Sequence, residues 1–249
     1  IPVEVVLASE FRYCDPIIDS RTLVVVISQS GETLDTMAAL REAKSLGARI
    51  LSIVNVVGSS IARESDDVLY TWAGPEIAVA TTKAYSTQMA VLDLLAIYLA
   101  GQRKTITAED MRRLTSAIAA LPAQVEQILS NREQIQYYAS QYFNHDSVFF
   151  IGRNLDYALG MEGSLKLKEI SYIHAESYAA GELKHGTIAL IYEGQPVIAL
   201  CCNDAVMEKT MSNIVEVKAR GAEGFAVAFK GNGKIVSLAD DMIFVPKFD

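Results

Sequence analysis

The side chains of Ser28, Ser30 and Thr33 place three hydroxyl groups close together, directly after the apolar run 23–27. A helical pattern follows at once, so these hydroxyls lie in a short turn between a buried strand and a helix. At such a junction the helix dipole and the unpaired N–H groups of the first helical turn favour a bound anion. Gly31 lets the backbone approach a ligand closely. The turn therefore predicts a site for a phosphate group on a small molecule.

The same residues also have a simpler interpretation. Ser30 and Thr33 are typical helix-capping residues, and an isolated SxSGxT pattern is compatible with a cap alone. No lysine follows Gly31 and no GxxxxGK(S/T) pattern occurs, which excludes a nucleotide P-loop. On the turn by itself, a phosphate site and a plain helix cap both remain open.

A second group of residues has the types needed for proton transfer. Lys166 and Glu169 are three residues apart in the helical pattern 161–170 and therefore share one helix face. Such a pair is also typical of a solvated surface ion pair. His185 precedes Gly186 in a segment rich in small residues, between a helix and a strand, where an imidazole is free to point into a cleft. A lone histidine is also commonly structural, so both interpretations stay open here.

The elements that must position these residues alternate between strand and helix, which is typical of βαβ units and a parallel sheet. The predicted strands are Val3–Ala8, Leu23–Ser28, Ile50–Asn55, Val68–Trp72, Ser147–Gly152, Val197–Cys201, Gly224–Phe229 and Met242–Val245. A helical connector separates the two groups of strands. Thr107 to Asp110 resembles a capping box that opens one helix, and Leu121-Pro122 is predicted to interrupt it before a second helix ends near Gln141.

The two groups of strands are copies of each other. A shift of 174 residues carries 23–48 onto 197–222, with Gly-Ala at the end of both segments. Duplicated α/β units predict an internally pseudosymmetric protein. In the second copy the polar residues of the turn become Cys202, Asn203 and Asp204. The aspartate puts a negative charge where an anion would lie, so only the first copy is predicted to bind phosphate.

The repeat also bears on the ends of the chain. The strand 147–152 has a counterpart that would precede Ile1, and the helix 82–100 has a counterpart that would follow Asp249. We therefore expect roughly 25–45 residues of the fold to lie beyond each end, so that the chain is a fragment of a larger protein.

Composition narrows the class of protein. With 51% hydrophobic and 21% charged residues the chain is typical of a well-packed soluble protein, and its net charge of −8 argues against nucleic-acid binding. The longest apolar stretch, 89–100, carries Asp93, so no membrane span is predicted. Three cysteines and three histidines lack metal-ligand spacing. We expect a reduced, cytoplasmic protein without a metal.

Three motifs together resemble one family. SQSGET, PEIAVATTKAYSTQ and MEGSLKLKEISYIHAESYAAGELKHG are similar to the isomerase half of the glutamine–fructose-6-phosphate aminotransferases, the glucosamine-6-phosphate synthases. The first motif is shared by sugar-isomerase domains generally, whereas the last is far more specific. The resemblance covers essentially the whole chain. It implies an α/β fold of two tandem, doubly wound, parallel-sheet sugar-isomerase (flavodoxin-like) domains, which we place at 1–104 and, with the helical connector, at 105–249.

The resemblance implies a conversion of fructose 6-phosphate to glucosamine 6-phosphate with ammonia from a separate N-terminal glutaminase domain. Its substrate-binding positions are Ser28, Gln29, Ser30, Thr33 and Thr81, the last where the family commonly has serine. Its catalytic positions are Lys166, Glu169 and His185.

Chemical roles for the three catalytic positions follow from their side chains. A proton shift between C1 and C2 of an imine suits the carboxylate of Glu169, and ring opening suits His185. Lys166 would keep Glu169 ionised or assist transfer to the sugar oxygens. No pyridoxal phosphate or metal is implied, so no cofactor is expected.

The resemblance also implies an assembly. In the family the histidine of ELKHG reaches the neighbouring subunit's active site, which predicts a homodimer that shares His185. A C-terminal tail lysine and an N-terminal strand, which complete the site in the family, are expected outside this chain. The family usually has HGP where this chain has His185-Gly186-Thr187. That departure affects the loop and leaves the histidine in place.

Two alternatives remain. One is a non-catalytic sugar-phosphate sensor, since the same domain serves in transcription regulators, although those usually carry one domain after a basic helix-turn-helix. The other is a different enzyme on this scaffold, such as a deglycase or a ketose-aldose isomerase. A glutaminase domain that begins with cysteine, upstream of Ile1, would discriminate in favour of the synthase.

Overall fold

Parallel strands, most of them followed by helices, make up both halves of the protein. The structure is a computed structural model that describes residues 1–247. It divides into two compact units, 1–118 and 119–249, each described here by itself. The division falls within a helix rather than at residue 104, and the assignment of domains to 1–104 and 105–249 remains a prediction.

The first unit holds a three-stranded parallel sheet in the order β1-β2-β3. Its elements are α1 Ala8–Phe11, β1 Leu23–Ser28, α2 Leu34–Ser45, β2 Arg49–Val54, α3 Ser60–Glu64, β3 Asp67–Tyr70 and α4 Lys83–Gln102. The central strand β2 is buried at every position after Arg49, as expected for a strand covered on both faces. Helix α2 buries one stripe, including Met37, Leu40 and Ala43, against the sheet.

The predicted strand Val3–Ala8 is wrong. Residues 1–7 have no regular structure, and Ala8 opens the short helix α1 instead. Alternating apolar residues favour a strand only where a neighbour supplies hydrogen bonds and cover, and within the described residues no strand pairs with this segment. Val3 and Val5 are accordingly exposed.

Two helices follow α4: α5 Ala108–Leu129 and α6 Arg132–Tyr142. The capping box is present, because the Thr107 hydroxyl accepts the N–H of Asp110 at 3.1 Å and the Asp110 carboxylate accepts the N–H of Thr107 at 3.1 Å. The predicted break at Leu121-Pro122 is wrong, since α5 continues through Pro122. A proline removes one N–H donor, and the surrounding turns are sufficient here to keep the helix continuous.

The second unit holds a five-stranded parallel sheet in the order β5-β4-β6-β7-β8. Its elements are β4 Ser147–Gly152, α7 Leu155–Ser171, β5 His174–Ala179, β6 Pro196–Cys201, α8 Met207–Lys218, β7 Glu223–Phe229 and β8 Asp241–Val245, with short 3-10 helices at Leu183–His185, Thr187–Leu190 and Ile235–Ser237. Strand β5 pairs with one edge of β4 and strand β6 pairs with the other edge, so the strand order reverses between β4 and β6. This is the flavodoxin-like doubly wound order.

The prediction of two tandem parallel α/β units is confirmed, and so is the repeat. The same shift of 174 residues carries the first residue of β2, Arg49, to the first residue of β7, Glu223, and Asp67 of β3 to Asp241 of β8. The strand β5 was not predicted. Its sequence, HAESYA, lacks β-branched residues, and it becomes a strand because it pairs along the free edge of β4. Among the described residues, no helix is long and apolar enough to cross a membrane.

Candidate active site

The turn Ser28–Thr33 lies at the carboxyl end of β1 and leads into α2. The Ser28 hydroxyl is 2.9 Å from the Thr33 hydroxyl and accepts the N–H of Gly31 at 3.0 Å. The Ser30 hydroxyl accepts the N–H of Glu32 at 3.2 Å. Thr33 is the N-cap residue of α2, yet its side chain makes no capping hydrogen bond. The Thr33 hydroxyl therefore belongs to the turn rather than to the helix end. Among residues 1–247 no side chain caps the first N–H groups of α2.

Neighbouring elements hold this turn in place. The carbonyl of Gln29 accepts the N–H of Asn55 at 3.1 Å, and the carbonyl of Gly31 accepts the N–H of Ile61 at 3.0 Å. The carboxylate of Glu32 accepts the N–H of Ser60 at 2.7 Å, which lowers the pKa of Glu32. The turn thus caps the start of α3 with its own backbone and side chain, and it is fixed before any ligand arrives.

Gly31 fits this position for two reasons. Its φ is +67°, a left-handed conformation that residues with a side chain rarely adopt. A Cβ atom at Gly31 would also lie 2.0 Å from the Ser59 hydroxyl oxygen, so the space is already filled. The backbone of the turn therefore passes closely over the start of α3.

The other two predicted binding residues, Gln29 and Thr81, lie on different segments of the first unit. Gln29 is half-buried within the turn, and Thr81 is half-buried in the segment between β3 and α4. Within residues 1–247 no hydrogen bond joins Thr81 to the turn. The structure brings Ser28, Ser30 and Thr33 into one turn, and leaves Thr81 on a separate segment of the same unit.

The second predicted group lies on α7, in the second unit. The ammonium of Lys166 forms an ion pair with Glu169, one turn further along the helix. It also lies 3.7 Å from a carboxylate oxygen of Glu162, one turn earlier. Exposure of the three side chains is 21% for Lys166, 21% for Glu162 and 29% for Glu169. The lysine is therefore held between two half-buried carboxylates rather than in a freely solvated pair.

Glu162 was not predicted as part of this group, although the sequence carried a signal for it. It lies four residues before Lys166, a spacing that places the two side chains together on a helix. The pattern Glu162-Lys166-Glu169 is thus a single stripe of alternating charge on α7.

His185 ends the 3-10 helix Leu183–His185, directly before Gly186 with φ +152°. Leu183 is buried and anchors this short helix, whereas the side chain of His185 is exposed. Within the described residues the imidazole makes no hydrogen bond or ion pair, so the structure joins it to neither Lys166 nor Glu169. The ring is left open to solvent.

A polar network holds the loop that carries His185. Lys184 pairs with Glu216 of α8 at 3.3 Å, and Glu216 accepts a hydrogen bond from Asn213 at 2.8 Å, which lowers the pKa of Glu216. The guanidinium of Arg153 donates to the buried Asn213 oxygen at 3.0 and 3.1 Å. A Cβ atom at Gly181 would lie 2.9 Å from that guanidinium. The small residue at 181 therefore serves packing inside its own unit.

The prediction that Asp204 supplies the negative charge in the corresponding turn of the second unit is wrong, because another carboxylate accepts the N–H groups of that turn. Asp204 points to Lys247, with which it forms an ion pair. The N–H groups of Cys202 and Asn203 instead donate to Asp156, at 3.1 and 3.0 Å. Burial raises the pKa of Cys202 to about 11, so its thiol stays protonated at neutral pH. No sequence pattern pointed to Asp156, because its partners lie far along the chain.

With the fold and these residues in view, comparison with known proteins defines the class. The SIS domain family matches residues 1–98 and 141–247, which is well over half of the chain. The chain therefore belongs to the family of SIS, or sugar isomerase, domains.

Within that family the predicted resemblance to the isomerase part of the glutamine–fructose-6-phosphate aminotransferases is confirmed. The chain is 53% identical over 247 residues to the isomerizing glutamine–fructose-6-phosphate aminotransferase of Clostridium acetobutylicum, covering 99% of the chain and 41% of that protein. It is 56% identical over 246 residues to the enzyme of the same name from Caldanaerobacter subterraneus subsp. tengcongensis, covering 99% of the chain and 40% of that protein. The chain thus spans about two fifths of the length of these relatives.

A solved structure gives the same result. The C-terminal domain of glucosamine-fructose-6-phosphate aminotransferase from Francisella tularensis superimposes with a TM-score of 0.94 at 38% identity. The match covers 99% of this chain and 70% of that one.

Proposed function

We propose that this chain is the ketose-aldose isomerase part of a glucosamine-6-phosphate synthase. It would convert fructose 6-phosphate and glutamine-derived ammonia to glucosamine 6-phosphate, for amino-sugar synthesis. The observation that carries the proposal is the half-buried ion pair of Glu169 and Lys166 on α7. The membership of the chain in the SIS domain family and the names of its relatives support fructose 6-phosphate as the substrate.

In this proposal the turn Ser28–Thr33 binds the phosphate of the sugar. Hydroxyls and backbone N–H groups around the first turn of α2 provide donors for phosphate oxygens, and the helix dipole adds to the attraction. Gln29 and Thr81 contribute further polar groups. The hydroxyl of Ser28 would exchange part of its present hydrogen bonding for the ligand.

The proton shift is assigned to Glu169. Its carboxylate takes a proton from C1 of the imine formed at C2, which gives an enolamine, and a proton is then delivered to C2. The C1 hydroxyl gives up its proton as the aldehyde forms and the imine nitrogen gains one, so that the 2-imino ketose becomes a 2-amino aldose. Lys166, which forms an ion pair with this carboxylate, is assigned to assisting proton transfer to the sugar oxygens. His185, exposed at the end of its 3-10 helix, is assigned to opening of the sugar ring. No cofactor enters this scheme.

The proposal includes partners and a location. Ammonia would come from an N-terminal glutaminase domain, and a second copy of the protein would share His185 as a homodimer. Exposure of the His185 ring supports the sharing, and so do the exposed apolar side chains Leu155, Leu159 and Ile170 on α7. A cytoplasmic location is supported by the three cysteines, all unpaired.

The Glu169→Gln variant tests the assignment directly. The amide keeps the shape of the side chain and cannot accept the C1 proton, so glucosamine 6-phosphate formation should fall by about a thousandfold or more while glucosamine 6-phosphate still binds. Product formation is measured with the complete protein as expressed from its gene. Glu208→Gln is the matched control, because Glu208 is an exposed glutamate on α8 paired with Lys234. Near-normal exchange of the substrate's C1 hydrogen in Glu169→Gln would exclude the role.

A further inference from the structure

The strand order of the second unit marks a place where a ligand would normally lie. In open α/β sheets, ligands bind outside the carboxyl ends of the strands at the point where the order reverses. Here that point is between β4, which ends at Gly152, and β6, which ends at Cys201. By the repeat, the turn after β6 is also the counterpart of the turn Ser28–Thr33. Two independent arguments thus place an anion site at the N–H groups that follow β6.

That place is filled by a side chain of the protein itself. One carboxylate oxygen of Asp156 accepts both the N–H of Cys202 at 3.1 Å and the N–H of Asn203 at 3.0 Å. Asp156 is only 4% exposed, and within the described residues no cation pairs with it. Burial raises the pKa of Asp156, and the two N–H bonds act in the opposite direction. Through its two N–H bonds the side chain of Asp156 occupies the place in this turn that an oxygen of a ligand would take.

Asp156, which fills the loop after β6, is the second residue of α7, the helix that carries Lys166 and Glu169. The backbone there is tightly constrained: a Cβ atom at Gly152 would lie 2.6 to 2.8 Å from backbone atoms of Asp156 and Tyr157. Asn154, the N-cap residue of α7, makes no side-chain capping bond. The two bonds of Asp156 to the turn after β6 thus attach the start of this helix, more tightly than the long 3.5 Å bond that the Ser177 hydroxyl donates to the Tyr157 carbonyl.

We propose that Asp156 is a built-in hydrogen-bond acceptor that fills the second unit's counterpart of the turn Ser28–Thr33 and positions α7 for proton transfer by Glu169. In the first unit the turn Ser28–Thr33 is open for a ligand. In the second unit the counterpart turn, Cys202–Asp204, instead anchors α7, the helix that carries Glu169. Because a helix is stiff over the turns between Asp156 and Glu169, fixing its start fixes the direction of the Glu169 side chain. The catalytic part of this inference rests on the proposed function.

Three substitutions at Asp156 separate positioning from folding. Asp156→Asn keeps an oxygen that can accept both N–H groups, without a buried charge. Asp156→Ala removes the anchor. Asp156→Glu keeps the charge and lengthens the side chain by one methylene, which displaces the start of α7. Asp240→Ala is the matched control, because Asp240 accepts the N–H of Gly224 at 2.8 Å and pairs with Lys218 at 2.6 Å, away from α7.

We expect Asp156→Ala and Asp156→Glu to lower kcat for glucosamine 6-phosphate formation by about tenfold or more, while KM for fructose 6-phosphate changes by less than about threefold. Asp156→Asn should restore kcat to within about threefold of the wild type. Amide hydrogen exchange over 155–171 and at 202–203 should accelerate in the alanine variant and return to normal in the asparagine variant. Asp240→Ala should lower the Tm and leave kcat unchanged.

Unchanged kcat in a folded Asp156→Glu protein would overturn the proposal. This variant tests the proposal even if Asp156→Ala does not fold. An equal loss of kcat in Asp240→Ala would also overturn it, because the effect would then reflect stability alone. Wild-type protein that forms no glucosamine 6-phosphate would refute the proposed function instead. In that case hydrogen exchange still reports whether Asp156 anchors α7.

Discussion

At the scale of single residues, the turn Ser28–Thr33 is distinctive because its hydroxyls bind one another and the backbone of the turn rather than capping α2. A cap would bind the free N–H groups of the helix and leave nothing for a ligand. Here, within the described part of the chain, no side chain caps those N–H groups, and the hydroxyls are already oriented within the turn. This arrangement favours the phosphate interpretation over a plain cap.

Ser30→Ala tests that interpretation. Loss of one hydrogen bond to a charged phosphate typically costs about 1.5–3 kcal/mol, so the affinity for glucosamine 6-phosphate should fall roughly tenfold or more. Isothermal titration calorimetry measures the change. Ser45→Ala is the control, since the Ser45 hydroxyl donates to the Glu42 carbonyl at the other end of α2, away from the turn. An affinity for Ser30→Ala equal to that of the control would show that the phosphate lies elsewhere.

A comparison of Gly31 with Gly58 separates the cost of a left-handed backbone conformation from the cost of a steric clash at Cβ. Both have positive φ, +67° and +72°, but a Cβ atom meets Ser59 at Gly31 and nothing within 4 Å at Gly58. Gly58→Ala should cost only the conformational penalty of about 1–2 kcal/mol. Gly31→Ala should cost about 1–3 kcal/mol more and abolish ligand binding, because the turn must move. Chemical denaturation and calorimetry test this, and equal costs at the two glycines would contradict it.

At the scale of elements, α5 depends on local interactions to an unusual degree. None of its residues is buried, and Pro122 removes one hydrogen bond from its interior. Tertiary packing normally supplies most of the stability of a helix in a protein. The capping box formed by Thr107 and Asp110 should therefore matter more here than at a buried helix.

Thr107→Ala should accordingly destabilise the first turn of α5 by about 1 kcal/mol, seen as roughly fivefold faster amide exchange in that turn. Thr115→Ala is the matched control within the same helix, since the Thr115 hydroxyl donates to the Met111 and Arg112 carbonyls, within the helix, and not to a capping position. Alanine is the better helix former, so that control should exchange no faster than the wild type. Equal acceleration in both variants would mean that the cap contributes nothing specific.

At the scale of the whole molecule, the proposed homodimer makes each active site depend on two chains. The small residues of the segment 177–186 do not explain such an interface by themselves, because Ala180 is buried and Gly181 packs against Arg153 in its own unit. The exposed ring of His185 and the exposed apolar side chains on α7 remain the physical reasons to expect sharing.

Mixing Glu169→Gln with His185→Ala tests the sharing. A mixed dimer would hold one site with both defects and one site with neither. After subunit exchange at equal amounts, activity should recover to about a quarter of the wild type, since half of the dimers are mixed. Each variant alone is the control and should stay inactive. If sedimentation shows mixed dimers and activity does not return, His185 acts within its own chain.

The sequence by itself determined the parallel α/β architecture, the repeat, the hydroxyl turn and the pairing of Lys166 with Glu169. These features depend on neighbours along the chain: strand periodicity, a glycine in a turn, or a spacing of three or four on a helix. The family resemblance rested on such local motifs, and the comparisons confirmed it.

Only the tertiary structure decided features that depend on distant neighbours. β5 became a strand because β4 had a free edge, whereas residues 1–7 alternated like a strand and formed none, since no partner strand lies beside them in the described part of the chain. Asp156 reached the turn after β6 for a similar reason, because strands separated in sequence adjoin in the sheet. Hydrogen bonds across a sheet follow spatial adjacency, which local periodicity does not encode.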